Sequence, residues 1–286
     1  MITFFSVPKA FKGHIGVIQT NAIESWLKLK PVPEIILLGD DEGVAQIAEK
    51  YGLRHLPNLK CHPEWQAPLL DSIIETAQKE ATFDNLCFIH TDIILFQDFL
   101  KAFHAVSNHF ENFLMVSSRF NTNIEKRLDL NTEEERQNLR KSILSEKDMY
   151  SSGGSDFFAF PKKLFKLVPP FLLGRGYWDN WMMYQALKEG AALVDTTFDV
   201  VAVHQNHDYA HIEGVHVGDR NADRVFKARQ GSYNLLLTGG QKNVYNNYDA
   251  NYVLEDGVFY STWGLRFLKR HLKSIVRRIK LRIKDR

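Results

Sequence analysis

Short apolar runs alternate along the first 117 residues with longer stretches in which apolar residues recur every three or four positions. The short runs predict strands, and the longer stretches predict amphipathic helices. Strands are predicted at 2–7, 34–38, 53–56, 86–94 and 113–117. Helices are predicted at 15–29, at 68–81 and around 99–110, and a short helix that follows the turn 39–43 ends at residue 52. Because strands and helices alternate, the sequence predicts an α/β fold in which a mostly parallel sheet is flanked by helices.

Polar groups stand where three of these apolar runs end. Residues 8–9 follow the first run, 39–40 follow the second, and 90–92 interrupt the fourth. Ligands of such sheets bind beyond the carboxyl ends of the strands. A buried carboxylate also needs a metal, a hydrogen-bond donor or a ligand, so Asp92 is a candidate functional residue. The structural alternative is a strand that ends at Ile89, with Asp92 satisfied by backbone amides in a turn.

The second half of the chain is less regular and carries further polar candidates. Residues 121–150 are polar, and Thr132 and Glu135 have the spacing of a capping box, which predicts a charged helix over the rim of a site or a solvated insert. Residues 151–160 predict a flexible turn that leads into a strand. Asp179 falls in the first turn of a later predicted helix, where an acid is often only a partner of the helix dipole.

Three histidines follow the apolar run 200–203. His204, His207 and His211 have the spacing i, i+3 and i+7, which on a helix would gather them for zinc. The apolar run predicts a strand instead, and we expect that a strand would not bring the three together.

The composition is that of an ordinary soluble globular protein. Of its 286 residues, 44% are hydrophobic and 24% are charged, which suits one large domain or two small ones. Cys61 and Cys87 are too few for a disulfide framework, which favours a reducing compartment. The sequence shows no signal-peptide pattern, and no run reaches the roughly 18 apolar residues of a spanning helix. Neither a Gly-X-Gly-X-X-Gly motif after the first strand nor a Walker loop is present, which disfavours a dinucleotide-dependent dehydrogenase or a P-loop enzyme.

Charge separates the chain into an acidic body and a basic tail. Residues 264–286 contain ten basic residues and one acidic residue, while 1–263 contain 26 basic and 33 acidic residues. The tail also has an apolar stripe at helical spacing: Leu265, Leu268, Leu272, Ile275, Ile279 and Ile283. We predict one domain over 1–263 and a basic amphipathic helix that lies on an anionic membrane surface. A helix packed on the body and an RNA-binding arm are the alternatives.

Together these segments resemble the GT-A glycosyltransferases, over roughly residues 1–215. The segment 88–94 stands in place of the Asp-X-Asp motif that ends the fourth strand of that fold, with Asp92 matching its last acid and His90 replacing its first. A neutral imidazole can ligate Mn²⁺ but offers no charge to Mg²⁺. Weak metal dependence and an inactive member of the family are therefore open alternatives.

Three later segments carry the rest of the resemblance. Residues 153–156 resemble the glycine-containing loop near the donor sugar, and 178–180 resemble the motif whose acid is the base of inverting members. His204 is similar to the metal-ligand histidine near the end of many members. The resemblance implies a nucleotide-binding half at 1–117 and an acceptor-side half at 118–263.

The resemblance also implies roles for individual residues. The nucleotide-sugar donor is expected at Val7, Pro8, Lys9, Asp40, Asp71, His90, Thr91, Gly154 and Asp156. A divalent cation, Mn²⁺ or Mg²⁺, is expected on Asp92 and His204. Asp179 is expected to be the catalytic base, with Trp178 and Trp181 as an aromatic platform for the acceptor.

The function implied is transfer of a sugar from a UDP- or GDP-sugar to a glycan or lipid-linked acceptor, as in polysaccharide biosynthesis. The tail adds the expectation of a cytoplasmic protein peripherally associated with the inner face of the membrane, with no nucleic acid as partner. Two alternatives are a nucleotidyltransferase that makes a nucleotide sugar and a non-catalytic scaffold that docks at membranes. The segment 7–13 is a poor version of the glycine-rich basic loop that a nucleotidyltransferase normally has after its first strand.

Overall fold

The computed structural model describes residues 1–146, 148–149, 155–207, 229–264 and 267–284. Its strands are β1 Thr3–Ser6, β2 Glu34–Leu38, β3 Arg54–Leu56, β4 Asn85–Ile89, β5 Ile93–Ile94, β6 Phe113–Val116, β7 Arg119–Thr122, β8 Phe157–Pro161, β9 Ala192–Asp195, β10 Ala202–Gln205, β11 Tyr252–Glu255 and β12 Val258–Ser261. Its helices are α1 Gly13–Leu27, α2 Val44–Tyr51, α3 Leu70–Glu80, α4 Gln97–His109, α5 Glu133–Glu146, α6 Trp178–Lys188, α7 Arg229–Leu237 and α8 Leu268–Lys284. Two short 3₁₀ turns, Gln241–Asn243 and Asn247–Asp249, follow α7.

Nine of the strands form one sheet in the order β12-β11-β9-β6-β8-β4-β1-β2-β3. The neighbours β1, β2, β3 and β4 are parallel, and so are β6, β9 and β11. β8 runs antiparallel to both β4 and β6. The prediction of a mostly parallel sheet flanked by helices is confirmed, and the carboxyl ends of β1, β2 and β4 meet at one edge.

The predicted fourth strand at 86–94 is wrong in one respect, because the structure divides it into β4 and β5. The Ser6 hydroxyl bonds to the Ile89 carbonyl and the Thr91 hydroxyl, at 2.6 Å each, and the His90 amide donates to the Asp156 carbonyl at 3.0 Å. These bonds hold 90–92 in a turn. β5 then joins a second sheet, β5-β10-β7.

Helices cover the large sheet on both faces because each presents an apolar stripe to it. Trp26 of α1 and Phe99 of α4 belong to one core cluster, and Ile73 of α3 lies in the cluster on the other face. That second cluster also contains Trp178 and Trp181 of α6, which are 3% and 6% exposed. The expected open aromatic platform is therefore not formed by these two side chains, which are core residues.

The polar insert contains α5, which begins at the predicted capping box. The Glu135 amide donates to the Thr132 hydroxyl at 3.2 Å, and the Thr132 amide donates to the Glu135 carboxylate at 3.0 Å. Arg140 pairs with Asp98 of α4 at 3.0 Å, which ties the insert to the body.

The C-terminal segment forms α8, which contacts the body through polar groups. Asp249, whose side chain is fully buried, accepts bonds from Ser274 and from Arg277, the latter at 2.9 Å. Arg277 also donates to the Val244 carbonyl at 2.8 Å. None of the helices in the described ranges is long and apolar enough to cross a membrane.

Candidate active site

A cavity of about 680 Å³ opens at the edge where β1, β2 and β4 end. Its volume is within the usual range of small-molecule sites, roughly 300–1,000 Å³. Its polar and charged lining residues are Lys9, Lys12, Gln19, Asp41, Gln66, His90, Thr91, Asp92, Arg119, Asp156, Arg175, His204 and His207. The location agrees with the rule that ligands of parallel sheets bind beyond the carboxyl ends of the strands.

Asp92, His204 and His207 form a cluster in the wall of this cavity. The Asp92 Oδ2 atom lies 2.9 Å from His207 Nε2 and 3.5 Å from His204 Nε2. One ligand atom from each residue lies within 4.8 Å of the others. Burial alone would raise the pKa of Asp92, but the two imidazoles outweigh it and hold the pKa well below its ordinary value. A carboxylate next to two imidazoles is a donor set that suits Mn²⁺, Zn²⁺ and other first-row divalent metals.

Two atoms of the cluster indicate that it is incomplete without a ligand. Asp92 Oδ1 and His204 Nδ1 are buried and accept or donate no hydrogen bond within the described part of the chain. Buried polar atoms without a partner are uncommon and call for an explanation such as a bound ion. The residues therefore fit a divalent cation, held by Asp92, His204 and His207.

His204 and His207, which follow the apolar run 200–203, both reach Asp92, although no helix carries them. His204 lies on β10, as the apolar run predicted, but the strand ends at Gln205 and the chain brings His207 back to Asp92. The expectation that a strand would not bring the three histidines together also concerns His211 and stays a prediction. His211 lies outside the described residues.

His90 lies beside the cluster but outside its ligand set. Burial lowers the pKa of its imidazole, and the ring packs 5.3 Å from the Phe88 ring and 5.7 Å from the Trp178 ring, centroid to centroid. Its position favours a neutral ring in the cavity wall.

A partly buried ion pair that the sequence analysis did not predict lies next to His90. Arg119 of β7 bonds to the Asp156 carboxylate, and both side chains are 14% exposed. Burial alone would raise the pKa of Asp156, but Arg119 together with His90 and His204 outweighs burial and lowers that pKa. Arg119 was not found because β7 carries no pattern that distinguishes it from the polar insert.

Asp179 occupies the first turn of α6, as predicted, and is not among the residues that line the cavity. Its Oδ1 atom is buried without a hydrogen-bond partner in the described residues. Burial raises the pKa of Asp179 to about 6, opposed by backbone N–H groups and assisted by the charge of Asp156. Asp179 therefore lies close enough to the cavity to be affected by Asp156.

The other predicted donor contacts are divided between the cavity and its surroundings. Val7, Pro8, Lys9 and Thr91 line the cavity. Asp40 is exposed, and its neighbour Asp41 lines the cavity instead. Asp71 does not line the cavity, and its carboxylate accepts the Ser72 amide at 2.8 Å in the first turn of α3. Gly154 lies outside the described residues.

Comparison with known proteins finds similarity in structure but not in sequence. No protein-family model and no curated protein matches the chain. It is similar to S. aureus TarS, with 13% identity over 72% of this chain and 57% of that chain, at a TM-score of 0.43. It is also similar to S. aureus TarS in complex with UDP-GlcNAc, with 14% identity over 96% of this chain and 73% of that chain, at a TM-score of 0.49. A third similar structure is glucosyl-3-phosphoglycerate synthase from Mycobacterium tuberculosis in complex with Mn²⁺, UDP and phosphoglyceric acid. The identity is 16% over 84% of this chain and 78% of that chain, at a TM-score of 0.49.

The chain spans 57% and 36% of the length of two of the TarS chains it matches.

Proposed function

We propose that the chain is a GT-A-type glycosyltransferase that moves a sugar from a nucleoside-diphosphate sugar to an acceptor hydroxyl. The observation that carries the proposal is the Asp92–His204–His207 cluster in the wall of a cavity at the carboxyl ends of parallel strands. This is the place where the sequence resemblance puts the cation and the diphosphate. UDP- and GDP-sugars are the donors we expect.

The reaction needs stabilisation of a leaving group. The acceptor oxygen forms a bond to the anomeric carbon, the bond from that carbon to the diphosphate breaks, and negative charge develops on the diphosphate. A cation held by Asp92, His204 and His207 would supply electrostatic stabilisation of that charge. Lys9 and Lys12 add positive charge to the same cavity.

The acceptor hydroxyl must also lose its proton. Asp179 is our candidate for the base, because its buried Oδ1 atom has no partner in the described residues and a pKa of about 6 leaves the carboxylate ionised at neutral pH. A base with a pKa near the working pH transfers protons effectively. The proton of the hydroxyl would pass to Oδ1 as the new glycosidic bond forms.

The acceptor we propose is a glycan or a lipid-linked sugar at the cytoplasmic face of a membrane, in the synthesis of a polysaccharide. The support is the basic helix α8, on which Leu272, Val276 and Ile279 are about half exposed beside Lys273 and Lys280. Aliphatic side chains flanked by basic residues are typical of helices that lie on anionic lipid.

Binding of nucleoside diphosphates, with and without Mn²⁺, tests the donor site directly. Wild-type protein should bind UDP or GDP more tightly when Mn²⁺ is present, and Asp92→Asn should remove the dependence on Mn²⁺ while the melting temperature stays close to that of the wild type. Asp84→Asn, which changes an exposed carboxyl group just before β4, is the matched control. If Mn²⁺ strengthens nucleotide binding equally in wild type and Asp92→Asn, Asp92 is not a ligand.

Activity assays on the wild-type protein distinguish the transferase from the alternative functions. Slow hydrolysis of the bound nucleotide sugar without acceptor supports the transferase. Release of pyrophosphate from a nucleoside triphosphate would identify a nucleotidyltransferase, and a protein that binds neither donor would be a scaffold.

A further inference from the structure

Arg175 is a cation in the cavity wall, held by a turn of defined shape. Gly174 and Gly176 on either side have φ angles of +73° and +77°. Glycine adopts such angles without steric cost. The two glycines therefore allow a turn that places the Arg175 side chain just before the start of α6. Arg175 lines the cavity and is half-buried.

The guanidinium group is only partly satisfied within the described residues. Its Nε–H group donates to the Oε1 atom of Gln230, a residue that is 4% exposed. An arginine side chain has five N–H donors, and the described part of the chain provides no other hydrogen bond and no ion pair to this one. Burial lowers the pKa of Arg175, and no described carboxylate offsets that effect.

Two other partly buried arginines in the described part of the chain are neutralised by a carboxylate. Arg119 in the same cavity pairs with Asp156, and Arg277 pairs with Asp249. Leaving a charge desolvated and unpaired is costly. Arg175 therefore stands out as a cation whose partner is supplied from outside the described residues.

We propose that Arg175 binds an oxyanion, a phosphate or a carboxylate, that is carried by the acceptor. The planar guanidinium offers two parallel N–H donors that match such a group. The cation and the donor diphosphate are expected at Asp92, next to His204 of β10, whereas Arg175 stands on the segment before α6 and contacts Gln230 of α7. The anion at Arg175 is therefore a second one. The assignment of this anion to the acceptor rests on the proposed function.

Inorganic sulfate is a suitable probe, titrated calorimetrically at constant ionic strength into protein saturated with Mn²⁺ and UDP or GDP. We expect sulfate to bind the wild type and Arg175→Gln to weaken that binding by about tenfold or more. Arg175→Lys should weaken it less, because lysine keeps the positive charge but lacks the two parallel N–H donors of the guanidinium group. The affinity for the nucleotide should be unchanged in both variants. Melting temperatures show whether each variant is folded.

Arg229→Gln is the matched control, because it removes the same charge one residue from Gln230, yet Arg229 is exposed and already pairs with Glu64 at 2.9 Å. It should bind sulfate as the wild type does. Equal sulfate binding in wild type, Arg175→Gln and Arg175→Lys, or no binding to the wild type, would overturn the proposal. So would a tenfold loss of nucleotide affinity in Arg175→Gln, which would assign the anion to the donor. If the wild type binds no nucleotide, the proposed function fails, and sulfate titration of the free protein decides on Arg175 separately.

Discussion

Asp179 differs in a measurable way from an acid that only stabilises the start of a helix. A carboxylate that acts as a dipole partner has its charged form stabilised, and its pKa falls. Burial of Asp179 instead raises the pKa to about 6. Burial thus shifts the equilibrium toward the neutral form, yet a pKa of about 6 still leaves most of the carboxylate ionised at pH 7 and able to accept a proton.

The first prediction at this scale concerns the pH dependence of turnover. If Asp179 is the base, kcat should rise with pH through about 6 and level off above 7, because only the carboxylate accepts a proton. Asp179→Asn should lower turnover by roughly 10²–10⁴-fold and leave donor affinity unchanged. Steady-state kinetics from pH 5 to 8 measure both. Turnover of Asp179→Asn within a few-fold of the wild type would show that the acid is not the base.

The second prediction concerns the free energy of unfolding, which should fall with rising pH, whereas kcat should rise. Because the folded-state pKa of Asp179 is raised, the folded protein binds more protons than the unfolded chain between about pH 4 and 6, and the free energy of unfolding falls as pH rises through that window. Asp179→Asn lacks this effect. The stability of the variant relative to wild type should therefore increase by up to roughly 2–3 kcal/mol between pH 4 and pH 8. Urea unfolding at both pH values measures the change, and a constant difference would contradict the raised pKa.

At the scale of elements, one buried amide connects the turn that carries Asp92 to the strand that carries His204. Gln205 of β10 is fully buried, and its Nε2 atom donates to the carbonyls of Ile18 at 2.8 Å and Asp92 at 3.1 Å. Its Oε1 atom accepts from Asn21 at 3.1 Å. These bonds fix β10 against α1 and the 90–92 turn, so they position two members of the cluster relative to each other.

Replacing this amide should affect stability and metal binding together. Gln205→Leu removes the buried hydrogen bonds of the side chain to Ile18, Asp92 and Asn21, and we expect a loss of about 1–3 kcal/mol in the free energy of unfolding. Because the residue supports the ligands, Mn²⁺ affinity should also fall by about 10–100-fold. Gln137→Leu, on the exposed face of α5, should change neither quantity. Denaturant unfolding and Mn²⁺ titration measure the two effects, and normal Mn²⁺ affinity in Gln205→Leu would show that the network does not support the site.

The sequence predicts the strands and helices that have clear periodicity. It does not predict strand pairs and side-chain contacts between residues far apart in the chain. The strand 34–38 was predicted at its observed bounds, because its apolar run is bounded by proline and glycine. β5 has only two residues and pairs with β10, more than a hundred residues later, so no local pattern could reveal it. His207 joins Asp92 for the same reason. The burial of Trp178 and Trp181 was detectable, since they share one helical face with Met182 at i, i+3 and i+4.

At the scale of the whole molecule, α8 has two different faces. Ser274, Arg277 and Arg278 contact Asp249 of the body. At about 100° per residue, the exposed aliphatic residues 272, 276 and 279 lie on the opposite side of the helix. The helix is thus held on an acidic body by its polar face, and the exposed aliphatic residues 272, 276 and 279 point away. Deletion of 264–286 would remove both faces at once, so point substitutions test the membrane proposal more cleanly.

The last prediction uses that separation of faces. Leu272→Asp combined with Ile279→Asp should abolish binding to vesicles that contain anionic lipid, because the change places charge on the apolar stripe while Ser274, Arg277 and Asp249 stay paired. Both side chains are about half exposed, 51% and 53%, so the melting temperature and donor hydrolysis should change little. Leu236→Asp is the matched control, since Leu236 is an 80% exposed aliphatic residue on α7. Wild-type binding should also weaken as salt rises toward physiological strength, where exposed charges are screened over about 8–10 Å. Vesicle sedimentation of the double variant at the wild-type level would show that α8 does not bind the membrane through this stripe.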